Sequence, residues 1–222
     1  MIKMILTMLV LITGISGMAQ YKKASFFTRN GKFYGFKAGL HVFGNGVTAT
    51  PSISFVAGRD KGKKHIWHWW DIEYMASSKF SYSTTEYSDP SQKVDVKGKI
   101  NGMLVARYNW SYYFGDNSNA DIKGLPFAKI GIEVTLAGRA NGTQTTDPPN
   151  ADPRKIVYRE GVNGGIDLGA GYSYHVNENM TLFGVAGYSW MLNEAENYEA
   201  FFPNPSHPYI NVGIRFARKN DD

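Results

Sequence analysis

The side chains of this 222-residue chain that could do chemistry are five histidines and a set of charges at alternating positions. The histidines are His41, His65, His68, His175 and His207. Nucleophilic hydrolysis needs a serine whose proton passes to a histidine held by an acid. Only Ser206-His207 brings the first two types together in sequence, within a proline-rich stretch. His65 and His68 are three apart, which places them on opposite faces of a strand and argues against a shared metal ion. Gly161, Gly164 and Gly165 superficially suggest a phosphate loop. They fall in an alternating segment with no helix after it, and they read instead as room for bulky neighbours. Cysteine is absent, which excludes thiolate chemistry, disulfides and cysteine metal sites. No catalytic residue, metal or cofactor is expected, and the chain is not expected to be an enzyme.

What remains is electrostatic. Lys37, Lys99, Arg107, Lys129 and Arg215 share one polar parity with Asp71, Glu73, Glu133 and Asp167. Five bases set against four acids could neutralise one another in a narrow interior, where an unpaired charge is costly. A connected salt-bridge network is therefore expected. The net charge of +5 might suggest nucleic acid, but no stripe of Lys and Arg with interleaved aromatics appears. The densest basic cluster, Arg59, Lys61, Lys63 and Lys64, reads as a solvated turn. Phe80, Tyr82, Tyr87, Phe201 and Phe202 are candidate contact residues in loops, the last two beside the acidic Glu194, Glu196 and Glu199.

The elements that must position these residues are strands. Charged residues make up only 19%, while Gly numbers 24, Tyr 14, Phe 13 and Trp 5, a composition that favours an all-β protein over a helical bundle or a disordered chain. Residues 1–19 form a secretory signal, with Lys3, an apolar run from Met4 to Ile15 and the small residues of Gly17-Met18-Ala19. The remainder, 20–222, is one domain with no boundary. From residue 33 onward the chain alternates with period two, which sorts side chains onto two faces. Eight strands are predicted: about 33–43, 47–58, from 66, from 100, 126–138, from 162, 180–192 and from 209. Phe183 and Val185 spoil the polar face of the seventh. The parity of Ile72, Tyr74 and Ala76 continues through Ser78, Phe80 and Tyr82. That of Leu104 and Ala106 continues back through Ile100, Val96 and Val94. Strands three and four should thus extend as a stiff hairpin past the membrane. Residues 77–95, 139–155 and 193–207 read as long loops on one side, together with the tight turn 44–46, and the connections on the other side are short at 59–64 and 176–179 and intermediate at 114–124. That asymmetry is the layout of an outer-membrane barrel.

Alternation does not say which face is buried. A soluble barrel is apolar inside, and a membrane barrel reverses this. The membrane is favoured by aromatics near strand ends on the apolar face, namely Tyr34, Phe36, Phe55, Trp110, Tyr112, Tyr172, Tyr174 and Phe216, which suit a lipid–water boundary. With the signal and the ending Tyr209-Ile210-Asn211-Val212-Gly213-Ile214-Arg215-Phe216, the chain resembles the small eight-stranded outer-membrane proteins of Gram-negative bacteria, the OmpA/OmpX-like class. The resemblance implies an antiparallel up-and-down transmembrane β-barrel exported through the periplasm to the outer membrane. It implies outer-membrane lipid and the assembly machinery as partners, with a terminal aromatic as part of the assembly signal. It also leaves room for an extracellular protein or glycan partner met by the long loops. The expected role is structural or surface interaction. A small-molecule channel, a lipid-modifying enzyme and a soluble lipocalin-like carrier are the alternatives, though the first strand lacks the carrier family's Gly-x-Trp.

Overall fold

The computed structural model describes residues 32–43, 49–60, 65–85, 93–115, 123–147, 154–160, 163–177, 179–192 and 206–218. The sequence-predicted signal at 1–19 lies outside them. The described residues form ten strands: β1 (Lys32–His41), β2 (Thr50–Asp60), β3 (Ile66–Met75), β4 (Ser78–Thr85), β5 (Lys93–Tyr113), β6 (Gly124–Asp147), β7 (Arg154–Glu160), β8 (Asn163–Asn177), β9 (Met180–Met191) and β10 (His207–Arg218). Eight of them close a ring of antiparallel neighbours in the order β1-β2-β3-β5-β6-β8-β9-β10, with β10 returning to β1 from Lys32↔Arg218 to His41↔Tyr209. Closure pairs both edges of every wall strand, so no backbone donor or acceptor row faces the surroundings within the wall.

The start of β1 and the end of β10 share one rim with the turns between β2 and β3, β5 and β6, and β8 and β9. At the opposite rim the wall does not stop. β4 pairs with the first part of β5, and β7 with the last part of β6, so a four-stranded sheet β4-β5-β6-β7 stands beyond the barrel. The extended hairpin of β4 and β5 agrees with the sequence-based expectation; its tip at 86–92 lies outside the described residues. The sheet's second half does not agree. Residues 139–155 read as a loop, yet β6 runs to Asp147, and β7 was not foreseen.

Two further expectations need correction, for one physical reason. The period does reset where the wall becomes the free sheet. Met75 and Ser78 are both buried on either side of Ala76-Ser77, which reverses the faces between β3 and β4. On β5 the register slips between Ile100 and Gly102, and again between Leu104 and Val105, where Leu136 is the extra residue on β6. Gly102 has φ +144°, a conformation that strains other residues, and the Tyr74 hydroxyl lies 2.8 Å from where a β-carbon would stand. Above these irregularities Val94, Val96 and Ile100 turn inward with Phe80, joining Phe43, Met75, Met103 and Val105 in one apolar cluster. Phe80 is therefore a core residue and not an exposed loop contact. Lys99 points to the outside and belongs to no lumen network.

Candidate functional site

Arg107, at mid-wall on β5, is the centre of the lumen and is 1% exposed. Register places it beside Asp71 on β3 and Glu133 on β6. Asp71 and Glu73 are two apart, so one strand turns both carboxylates inward. The guanidinium Nη1 donates to Glu73 and lies 3.4 Å from Asp71 Oδ1, while Nε is 2.5 Å from Glu133 Oε2 and 3.2 Å from Asp167 Oδ2. Around this hub Lys37 Nζ reaches Asp71 at 3.2 Å, and Lys129 Nζ reaches Asp167 at 2.8 Å. Neutral groups add to these contacts, while Arg107 Nη2 is buried without a hydrogen-bond partner among the described residues. Asn109 Nδ2 donates to Asp71 at 3.1 Å, Ser189 Oγ to Glu133 at 3.0 Å and the Tyr209 hydroxyl to Asp167 at 2.5 Å. The lattice spans β1, β3, β5, β6, β8, β9 and β10, and so cross-ties most of the wall.

Toward the free-sheet rim the lattice ends in a clasp. Ser52 Oγ donates to Glu73 Oε1 at 2.7 Å, and His41 Nε2 lies 3.1 Å from the same oxygen. His41 Nδ1 meets His207 Nε2 at 2.8 Å, with the Phe43 ring 4.1 Å from that of His207. Serine, histidine and acid do converge here, with Ser52 Oγ also 3.2 Å from His41 Nε2, but Glu73 meets that same nitrogen, and Nδ1, where a hydrolytic relay would hold the acid, faces His207. Ser52 and His41 both hold Glu73 Oε1. Ser206 serves the wall as well, its Oγ accepting from the Met191 backbone N–H at 3.1 Å.

Toward the other rim Arg215 lies in a different setting. Its Nη2 donates to Ser173 at 2.8 Å and to Tyr113 at 3.0 Å. Its guanidinium sits 4.6 Å from the ring centre of Phe183, 5.1 Å from Trp67 and 5.4 Å from Phe33. These rings belong to an aromatic filling with Trp69, Tyr113, Phe127 and Tyr209. Of the charges expected in the lumen, Lys37, Asp71, Glu73, Arg107, Lys129, Glu133 and Asp167 come together, Arg215 stands apart and Lys99 is outside. Among the described residues the buried charges are thus four bases and four acids, histidines aside. The candidate contacts Tyr87, Phe201 and Phe202 lie outside the described residues, as does the side chain of Tyr82 on β4. The aromatic filling and the His41–His207 clasp were not foreseen; Phe183 and Val185 at polar-parity positions were the signal of the former.

The outer face is the inverse of the lumen. Trp70 is 59% exposed and Ile132 55%, with Tyr34, Phe36, Ile53, Phe55, Ile72, Tyr112, Ile130, Leu168, Tyr172 and Trp190 also open. Phe36 stacks edge-on to Phe55 and Tyr34 on Phe216, pairing amphipathic and apolar rings near one rim. Along β1 and the residue after it the apolar face runs from Tyr34 to Val42, and on β8 from Ile166 to Val176, which matches the roughly 9–11 residues a strand needs to cross a bilayer. A continuous apolar belt of this extent around a charged interior would be inside out in water. The architecture is that of a small outer-membrane β-barrel.

No family model matches the chain, and no curated protein matches it. Among solved structures it is similar to the N-terminal β-barrel domain of Pseudomonas aeruginosa OprF, at 12% identity and TM-score 0.45, covering 86% of this chain and 100% of that one. It is similar to Neisserial surface protein A, at 12% identity and TM-score 0.46, covering 84% and 96%. It is also similar to a major outer membrane protein from Thermus thermophilus, at 11% identity and TM-score 0.47, covering 84% and 99%.

Proposed function

We propose that this protein is a non-catalytic outer-membrane barrel that presents a rigid surface for contact, and that its lumen is a packed core and not a conduit. The single observation that carries the reading is the pairing of an apolar outer belt with an interior ion lattice centred on Arg107 and closed on all sides by side chains. An eight-stranded barrel has an interior just wide enough for side chains to fill. Here Arg107, both lattice lysines and the aromatic filling around Arg215 occupy it from rim to rim. The free sheet β4-β5-β6-β7 supplies the contact surface. Its two outer strands have one unpaired edge each among the described residues, open to strand addition by an extracellular protein.

The chain should pellet with outer membranes and migrate faster before boiling than after. Purified and added to planar bilayers, it should give no stable conductance step. A reproducible ohmic step would establish the channel alternative, and detergent-free solubility would establish the carrier. Shortening the hairpin by deletion of 80–92 should cost the Phe80 contact and leave an inserted barrel, because the wall ladders lie below it.

A further inference from the structure

Two imidazoles face each other where the ion lattice meets the apolar cluster under the free sheet. His41 Nδ1 lies 2.8 Å from His207 Nε2, and both side chains are buried. The contact ties together different parts of the molecule. His41 Nε2 lies 3.1 Å from Glu73 Oε1 and so belongs to the lattice. Tyr209, opposite His41 on β10, stacks on its ring and donates its hydroxyl to Asp167. On the other side the His207 ring packs on Phe43, a member of the cluster that holds Phe80, Val94 and Val96 of the free sheet. A backbone bond runs alongside, from the Val42 amide to the Pro208 carbonyl at 2.9 Å. It continues the seam of β1 and β10 past His41.

The contact can carry only a limited number of protons. Glu73 accepts from Ser52 and Arg107 and meets His41, and an ionised carboxylate only accepts, so His41 Nε2 bears a hydrogen. His41 Nδ1 and His207 Nε2 can then share one hydrogen between them and not two. The lattice that His41 joins sets the resting charge. Among the described residues it holds Asp71 and Glu73 on β3, Lys37 on β1, Arg107 on β5, Lys129 and Glu133 on β6 and Asp167 on β8, with the neutral Tyr209 on β10. Three bases meet four acids, and Arg215 stands apart. One proton on the histidine pair supplies the missing charge. A further proton would set two N–H groups and two like charges against each other in a contact that needs one donor and one acceptor. We propose that the His41–His207 pair is a proton-operated latch. Sharing one hydrogen, it closes the outward end of the β1–β10 seam and seats Phe43 beneath the free sheet; a second proton parts the rings and unseats Phe43. The parted state binds more protons, so acid favours it. That the sheet so released is a contact surface rests on the function proposed above; the latch rests on the lumen alone.

The test uses the full chain in nanodiscs of zwitterionic lipid with no partner present, so it reads the latch whether or not the sheet meets another protein. Protection of the Val42 amide, taken against the intrinsic exchange rate at each pH, should fall about tenfold or more from about pH 7.5 to about pH 5, the span in which histidine changes charge. The ring nitrogens of His207, read by nitrogen NMR, should pass from neutral to protonated with the same midpoint. The variant His207→Gln, whose amide can meet His41 Nδ1 and does not titrate, should keep its Val42 protection within about twofold across that span. The variant His175→Gln, which removes a buried histidine of the other rim, should respond as the parent does. An acid response retained in His207→Gln would assign the titration to the lattice carboxylates and overturn the latch. A parent whose Val42 amide stays protected down to about pH 5 would overturn it as well. So would a His207 signal that titrates apart from the loss of protection, a comparison that needs no variant.

Discussion

Two arginines in one lumen are held by opposite means. Arg107 is surrounded by four carboxylates on three strands, whereas Arg215 makes no ion pair among the described residues and rests among aromatic faces and two hydroxyls. Both are buried on the same inward parity of a closed wall. The difference shows that inward position does not require a counter-charge. The middle of the lumen solves burial by mutual neutralisation across strands. The end nearest the start of β1 and the end of β10 solves it by the negative faces of rings, which attract a cation without carrying a charge. Removing a partner should therefore cost unequally, because only in the lattice does it strand an opposite charge.

The largest expected effect is that of Arg107→Met. Four buried acids lose their hub, and the unfolding midpoint in urea should fall by an amount equivalent to about 3–5 kcal/mol. Adding Glu133→Gln should recover part of it, because one stranded carboxylate is then neutral. Gly213→Val probes the aromatic end. A β-carbon there would stand 2.5 Å from Phe183 Cζ, and overpacking should cost about 1–3 kcal/mol in the same assay. Arg215→Met should cost less than about 1.5 kcal/mol, since an apolar chain of similar length replaces a cation whose partners are neutral. A loss as large as that of Arg107→Met would erase the distinction between the two ends. The smallest effect is outside the lumen. Lys99→Glu, opposite Lys79, should stabilise the free sheet in detergent by a few tenths of a kcal/mol at most, read as slower exchange at 78–85.

Much of the wall was legible in the sequence because burial on one face forces period two, and one slip would expose every lumen charge to lipid. Asp71, Glu73 and Arg107 all lie on the inward parity and are buried. Lys99 is not, because Gly102 admits an extra residue and reverses the faces above it, and no local pattern separates a bulge glycine from a packing glycine. Phe80 was misplaced by the same effect at Ala76-Ser77. The upper part of β6, and β7 with it, is not legible because no large apolar residue follows Leu136 on that strand to mark a buried face. The aromatic end is not legible from polarity, because rings fill the lumen there. Phe183 and Val185 looked like faults in a strand and are its filling.

The central claim is that one strand, β5, passes from lipid to water with its inward face protected throughout and its phase shifted once near Gly102. Because the chain has no cysteine, single-cysteine spin labels along 93–113 test this directly by collision with oxygen in lipid and a nickel chelate in water. Oxygen-accessible labels are expected at 104, 106, 108, 110 and 112, chelate-accessible labels at 93, 95, 97 and 99, and protection at 94, 96, 103, 105 and 109. Chelate access at 104–112, or an alternation that runs through Gly102 without a change of phase, would contradict it.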